Sequence, residues 1–289
     1  MLGAFFCFSA MDTSAKWLVS IAVIPSIQVA FIRYLVHFLL TVIFYVPREG
    51  QAVFRSKVPR QQIFRGLLLL CSTALNFTAL KYLPLTVTIS IFFAAPMVVC
   101  LLSIPVLGEK VGLKRFAAVF IGFIGVLIIV QPWGESFDYH VFLALGALCT
   151  ASGYFVMTRK LAGIDSNSVS QFYCAGVATL LLCPFALILW EWPQTLLEVG
   201  LFIVLGSFGM LGHTLLTRAH EFAEASVLAP TVYSQIIFIT LFSWFVFGSV
   251  PNFATISGAA VVVASGIFIW WREKNLQSKT RSLPLRAGR

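Results

Sequence analysis

GLLLLCSTALNFTALKYLPLTVTISIFFAAPMVVCLLSIPVLGEK, residues 66–110, decides the fold. It holds two continuous apolar runs separated by Lys81-Tyr82-Leu83-Pro84. The first belongs to an expected span over 62–82 and the second to one over 85–106, each about 20 residues long, the length of a helix that crosses hydrocarbon. Neither alternates apolar and polar residues as barrel strands do. Inside a bilayer a backbone N–H or C=O finds no water, so such a run satisfies its polar groups as a helix. Pro84 closes the first run and opens the second.

The same pattern extends in both directions. Spans are expected over 2–22, 27–46, 62–82, 85–106, 115–131, 140–159, 168–190, 198–217, 225–247 and 253–271. The joins carry turn or charge signals: Pro25, Pro47–Gly50, Pro84, Gly108–Gly112, Pro132–Gly134, Gly163–Asn167, Pro193, Glu221–Glu224 and Pro251. The reading is an all-α integral membrane protein of about ten transmembrane helices.

Composition agrees. Of 289 residues, 59% are hydrophobic and 11% are charged, and the mean hydropathy is +0.93. A soluble domain carries about 25% charged residues. One soluble core could not enclose so much apolar surface, and lipid is the natural solvent for the excess. The first span lacks a basic leader region and contains Asp12 and Lys16, so it is expected to remain as a helix. Cys7, Cys71, Cys100, Cys149, Cys174 and Cys183 all fall in apolar runs without metal-ligand or redox spacing. They read as reduced packing residues.

The formal charge of +9 has a topological explanation rather than a nucleic-acid one. One set of joins holds Arg48, Arg55, Lys57, Arg60 and Arg65, then Lys110, Lys114 and Arg115, then Arg159 and Lys160, then Arg218. The tail adds Arg272, Lys274, Lys279, Arg281, Arg286 and Arg289. The opposite side has Lys16 and Lys81 at span ends, and its loops carry Glu135, Asp138, Glu191 and Glu198. This asymmetry places both termini and the basic joins in the cytoplasm.

An internal repeat appears at an offset of about 140 residues. The stretch from Tyr82-Leu-Pro-Leu-Thr to Gly108 runs parallel to that from Phe222-Ala-Glu-Ala-Ser to Gly248. Five spans per half is an odd number, so the halves insert with opposite orientation, as in many secondary transporters. The expected organisation is a first half over 1–134, a second half over 135–272, and a basic cytoplasmic tail over 273–289.

Ala79-Leu-Lys-Tyr-Leu-Pro-Leu-Thr-Val, Ala95-Pro96, Leu107-Gly108-Glu109-Lys110 and Gly122-Phe-Ile-Gly125-Val126 resemble the drug/metabolite transporter superfamily, in its ten-helix EamA-type group. Gly248-Ser249 departs from the Gly-Glu pair that this group often has in its second half. The opening Phe8-Ser-Ala-Met-Asp-Thr-Ser-Ala-Lys-Trp-Leu18, with Phe31-Ile-Arg-Tyr34 and His37-Phe38, is similar to bacterial members assigned as riboflavin importers. It is less similar to S-adenosylmethionine carriers. The resemblance implies a carrier in the bacterial inner membrane that takes up riboflavin by alternating access. The alternative is export or exchange of amino acids, S-adenosylmethionine or related solutes. It implies no cofactor and no catalysis. The sequence also lacks a Gly-x-x-x-x-Gly-Lys-Ser/Thr loop and a His-Glu-x-x-His pair, so no ATP-driven pump, metalloprotease or metal site is expected.

Polar residues inside spans are the site candidates, because lipid makes them expensive. Asp12 and Lys16 share one face of the first span, and Arg33 and His37 share one face of the second. They read either as a substrate or proton site or as structural pairs between helices. Asn76, His213 and Gln235 read either as site residues or as interhelical hydrogen-bond partners. Trp17, Tyr34, Phe77, Phe93, Tyr154 and Tyr233 are aromatic neighbours of these polar groups, able to stack on a flat ligand. Pro96 in the fourth span and Pro230 in the ninth read as hinges or static kinks. The small-residue runs Gly206/Gly209/Gly212 and Gly258/Ala259/Val262/Gly266 read as close packing, the last alternatively as a homodimer contact.

Overall fold

The computed structural model describes residues 1–107, 113–131, 137–222 and 229–281. Among these, eleven α-helices occur and no strand. They are α1 (Leu2–Ser20), α2 (Ser26–Glu49), α3 (Pro59–Tyr82), α4 (Leu85–Phe92), α5 (Ala95–Leu107) and α6 (Leu113–Val130). The second half holds α7 (Val141–Leu161), α8 (Asn167–Ile188), α9 (Leu196–Phe222), α10 (Gln235–Phe247) and α11 (Phe253–Arg281). Short 3-10 turns cover Gly50–Phe54 and Ala229–Ser234.

Seven helical segments are long and apolar enough to cross a membrane, and two shorter apolar ones cover Ala117–Val130 and Thr231–Phe247. With α1 these account for the ten spans. Leu180, Ile188 and Phe245 lie exposed on the outside of the bundle, which is inexpensive in lipid. Proline sets several helix starts: Pro25 and Pro84 sit extended at the N-caps of α2 and α4, and Pro59 opens α3. Gly248 ends α10 with φ +62°, a left-handed conformation that glycine adopts at no steric cost.

Two elements differ from the sequence expectation. The fourth span is broken between α4 and α5 at Phe93–Ala94. Pro96 has no N–H to offer the Phe92 carbonyl, so the helix ladder lapses there. The ninth span opens with the 3-10 turn over Ala229–Ser234 rather than a continuous helix; its residues 225–228 lie outside the described residues. The repeat offset of about 140 residues carries the Phe93–Ala94 break onto the Tyr233–Ser234 junction. In both halves an α-helix therefore begins just past the corresponding position, α5 at Ala95 and α10 at Gln235. In addition, α11 continues past Trp271, where the last span was expected to end, to Arg281. The stretch is rich in Arg, Glu, Lys and Gln, which favour helix, and has no glycine or proline.

The two halves interlock. α1 packs on α9 and α3 packs on α7, while α2 meets α8 and α6 meets α11. Exchanging the halves maps the first two contacts onto each other and the last two onto themselves. At α6–α11 the backbones touch: a Cβ on Gly258 would lie 2.6 Å from the Gly125 carbonyl oxygen. Only glycine permits that approach. The run ending at Gly266 is therefore engaged inside the chain, against α6 and the Tyr233 ring. Cys7, Cys71, Cys149, Cys174 and Cys183 are free thiols.

Candidate functional site

The polar side chains meet in a cavity between the halves. Its enclosed volume is about 120 Å³, within about 820 Å³ of non-protein space that includes open solvent. Asp12 of α1, Arg33 of α2, Asn76 and Phe77 of α3, and Phe93 at the α4–α5 break line it from the first half. Tyr154 of α7, His213 of α9 and Gln235 of α10 line it from the second. Eight of the sequence candidates thus share one wall.

Arg33 is the centre of the polar network and is 1% exposed. Its Nε donates to the Met11 sulfur at 3.1 Å, one terminal nitrogen to Thr73 Oγ1 at 3.3 Å, and the other to His213 Nε2 at 3.0 Å. A guanidinium only donates, so His213 accepts at Nε2 and carries its proton on Nδ1. That N–H points to the Tyr154 hydroxyl at 3.4 Å. Thr73 passes the chain on: it bonds the Tyr34 hydroxyl at 2.7 Å, which donates to the Leu69 carbonyl at 3.0 Å. The guanidinium also lies 4.3 Å from the Tyr34 ring centroid.

Asp12 is 5% exposed and faces the same space. Asn76 Nδ2 donates to its Oδ1 at 3.3 Å. Asp12 and Arg33 interact electrostatically, but among the described residues no direct ion pair joins Asp12 to Arg33 or to Lys16.

The structure separates the other candidates from this wall. Lys16, on the face of α1 expected to pair it with Asp12, turns instead to the end of α3. Its ammonium donates to the Leu80 and Leu83 carbonyls at 2.9 Å each, the carbonyls a helix end leaves free. Trp17 is half-buried against the core. Tyr34 lies beneath Arg33. His37 turns away and donates from Nε2 to Gln171 Oε1 at 3.1 Å, with its ring stacked 6.2 Å from that of His213. Tyr233 meets Phe93 edge to face at 5.8 Å. Pro96 is the second residue of α5, just past the break, and Pro230 lies in the 3-10 turn before α10.

Several lining residues escaped the sequence reading: Phe5, Phe8, Met11, Ser72, Thr73, Phe92 and Phe155. Helical spacing from the named candidates would have found some of them. Phe8 is one turn before Asp12, and Leu69, Thr73 and Asn76 form one stripe of α3.

Away from the spans, Asp165 in the α7–α8 join binds the first half. It accepts from Ser56 Oγ at 2.5 Å, the Lys57 backbone N–H at 2.9 Å and Gln62 Nε2 at 2.8 Å. Partial burial opposes its ionisation, but these donors outweigh it and hold the carboxyl below the usual range.

Comparison with known proteins matches this architecture. The chain is 28% identical to an S-adenosylmethionine uptake transporter of Rickettsia bellii, over 94% of this chain and 92% of that one. It is 29% identical to a riboflavin transporter of Vibrio cholerae, over 98% and 95%. It is 30% identical to the pseudopaline exporter CntI of Pseudomonas aeruginosa, over 91% and 92%. One crystal structure shares the fold at a TM-score of 0.65 and 16% identity, covering 95% of this chain and 98% of that one. The model of the EamA-like transporter family matches twice, over residues 1–131 and 139–271. These are the two five-helix repeats, and the chain is a multi-pass membrane transporter of the EamA-like family.

Proposed function

We propose that the chain carries a ring-bearing organic metabolite into the bacterial cytoplasm, by alternating access to the cavity between its halves. One observation carries this reading: the cavity takes its walls from both halves, with aromatic rings on each. A solute held there touches both moving bodies at once, so a change in their packing can pass it from one side to the other. Phe77, Phe93 and Tyr154 offer faces and edges to a flat ring, each contact contributing about 1 kcal/mol. Riboflavin fits that pattern. The second reading is S-adenosylmethionine or another amino-acid-bearing solute, favoured by Asp12 and Arg33 on the same wall. The basic joins support an orientation in the inner membrane with both termini cytoplasmic. The organisation we propose is a first half over 1–134, a second half over 135–272, and a basic end over 273–289.

Purified protein in liposomes tests the reading. We expect counterflow of labelled riboflavin or S-adenosylmethionine, and growth rescue of a bacterial auxotroph lacking its own importer. Flux of one and not the other assigns the ring. Turnover of either compound without flux would overturn the transport reading.

A further inference from the structure

The charges on the cavity wall are incompletely matched by protein groups, and the mismatch has a shape. A guanidinium has five N–H donors. Arg33 places three of them, on Met11, Thr73 and His213. One N–H on each terminal nitrogen is left without a protein acceptor among the described residues. Two N–H donors of one guanidinium can pair with the two oxygens of a carboxylate.

The opposite deficiency occurs at Asp12. Its Oδ1 accepts from Asn76, and its Oδ2 has no protein donor among the described residues. Asn76 itself turns its amide nitrogen to Asp12, which leaves Asn76 Oδ1 buried without a partner. Asn76 is 8% exposed and lines the cavity. Two acceptors without donors therefore sit near two donors without acceptors. Lys16 could have filled the acceptor corner, but it is committed to the Leu80 and Leu83 carbonyls.

We propose that this arrangement is a two-point clamp for the amino-acid head of a zwitterionic solute. The carboxylate sits on the free N–H pair of Arg33, and the ammonium sits on Asp12 Oδ2 and Asn76 Oδ1. The head completes both corners and separates the two protein charges. The rest of the solute lies along the aromatic wall of Phe77, Phe93 and Tyr154. The inference rests on the transport reading and narrows its substrate class to amino acids with an apolar or ring-bearing side chain. Leaving either corner unfilled in a dry site strands a buried polar group, so ligands lacking one charge bind poorly.

The test is equilibrium binding to the purified full-length protein in detergent. The probes are S-adenosylmethionine, S-adenosylhomocysteine and phenylalanine, which have both charges. Decarboxylated S-adenosylmethionine and phenethylamine lack the carboxylate, 3-phenylpropionate lacks the ammonium, and riboflavin lacks the head altogether. We expect at least one of the zwitterions to bind about tenfold or more tightly than its stripped analogues. Asp12→Asn should weaken that zwitterion about tenfold while leaving 3-phenylpropionate within about twofold. Arg33→Lys keeps a charge but loses the fork, and should weaken the zwitterion and 3-phenylpropionate alike. A general loss of structure would not separate the ligands in this way. The clamp is overturned if no zwitterion binds, or if stripped analogues bind as well as their parents. Selective zwitterion binding without flux of any solute sinks the transport reading and leaves the clamp. Riboflavin flux without zwitterion binding does the reverse.

Discussion

The α2–α8 seam and the α4–α10 crossing both join the first half to the second, and they are built from different interactions. At one end of the seam the Gln28 side chain exchanges two hydrogen bonds with the Glu191 backbone, at 2.6 and 2.8 Å. At the other end Ser168 donates to Glu49, and Asp165 holds Ser56, Lys57 and Gln62. Arg65 adds a bond from α3 to the Ser170 carbonyl at 2.9 Å. The crossing instead sets the α4–α5 break beside the start of α10, with Phe93 and Tyr233 edge to face. The Tyr233 hydroxyl has no hydrogen-bond partner among the described residues. Directional bonds at two ends resist sliding, whereas an aromatic edge contact tolerates it. If the halves rock on each other as proposed, the seam is the expected pivot and the crossing, beside the cavity, the expected site of the larger displacement.

The largest expected effect comes from locking each region in turn. In a background lacking the six native cysteines, Phe93→Cys with Tyr233→Cys can be bridged by a bifunctional thiol reagent. Counterflow in liposomes should then fall about tenfold or more. The same bridge across Gln28→Cys and Glu191→Cys should leave flux within about twofold. Equal loss at both positions would erase the contrast.

The next effect is at Asp165. Asp165→Asn weakens a half-exposed set of hydrogen bonds and should cost about 1–2 kcal/mol in detergent melting. The wild-type carboxyl is held below its ordinary value. Its stabilisation is therefore complete above the unfolded pKa, near 4, and is lost as pH falls through the lower folded value. The gap between wild type and variant should close on acidification. A gap that widens in acid would refute this account of the carboxylate.

Gln28→Ala should have a smaller effect, about 1 kcal/mol, because the Glu191 backbone groups lie near the surface and regain water. Tyr233→Phe should have the smallest. Its hydroxyl makes no bond to lose, so melting should shift by less than about 0.5 kcal/mol with flux unchanged. A large loss of flux in Tyr233→Phe would mean that the hydroxyl contacts solute.

Much of the fold was legible because its signals are local. Run length and proline punctuation each act within one helix and its joins. The break at Phe93–Ala94 was half legible: Pro96 marks it, but an apolar run looks the same whether or not its helix is interrupted. The site was legible as a set of expensive residues, not as a geometry. Asp12 and Arg33 stand out because charge in a span is rare. Lys16 stands out for the same reason, yet it caps α3. His37 shares a helix face with Arg33 and still turns to Gln171 on α8.

Sequence alone determined the ten apolar spans and the doubled plan, because lipid imposes helix on every span and both halves carry the same order of apolar runs and breaks. Tertiary structure alone decided which polar groups share the cavity and which are used up in packing. A buried donor or acceptor is satisfied by whatever helix lies opposite, and the Leu80 and Leu83 carbonyls that take Lys16, like the Gln171 that takes His37, come from helices that only the interlocked halves bring into reach.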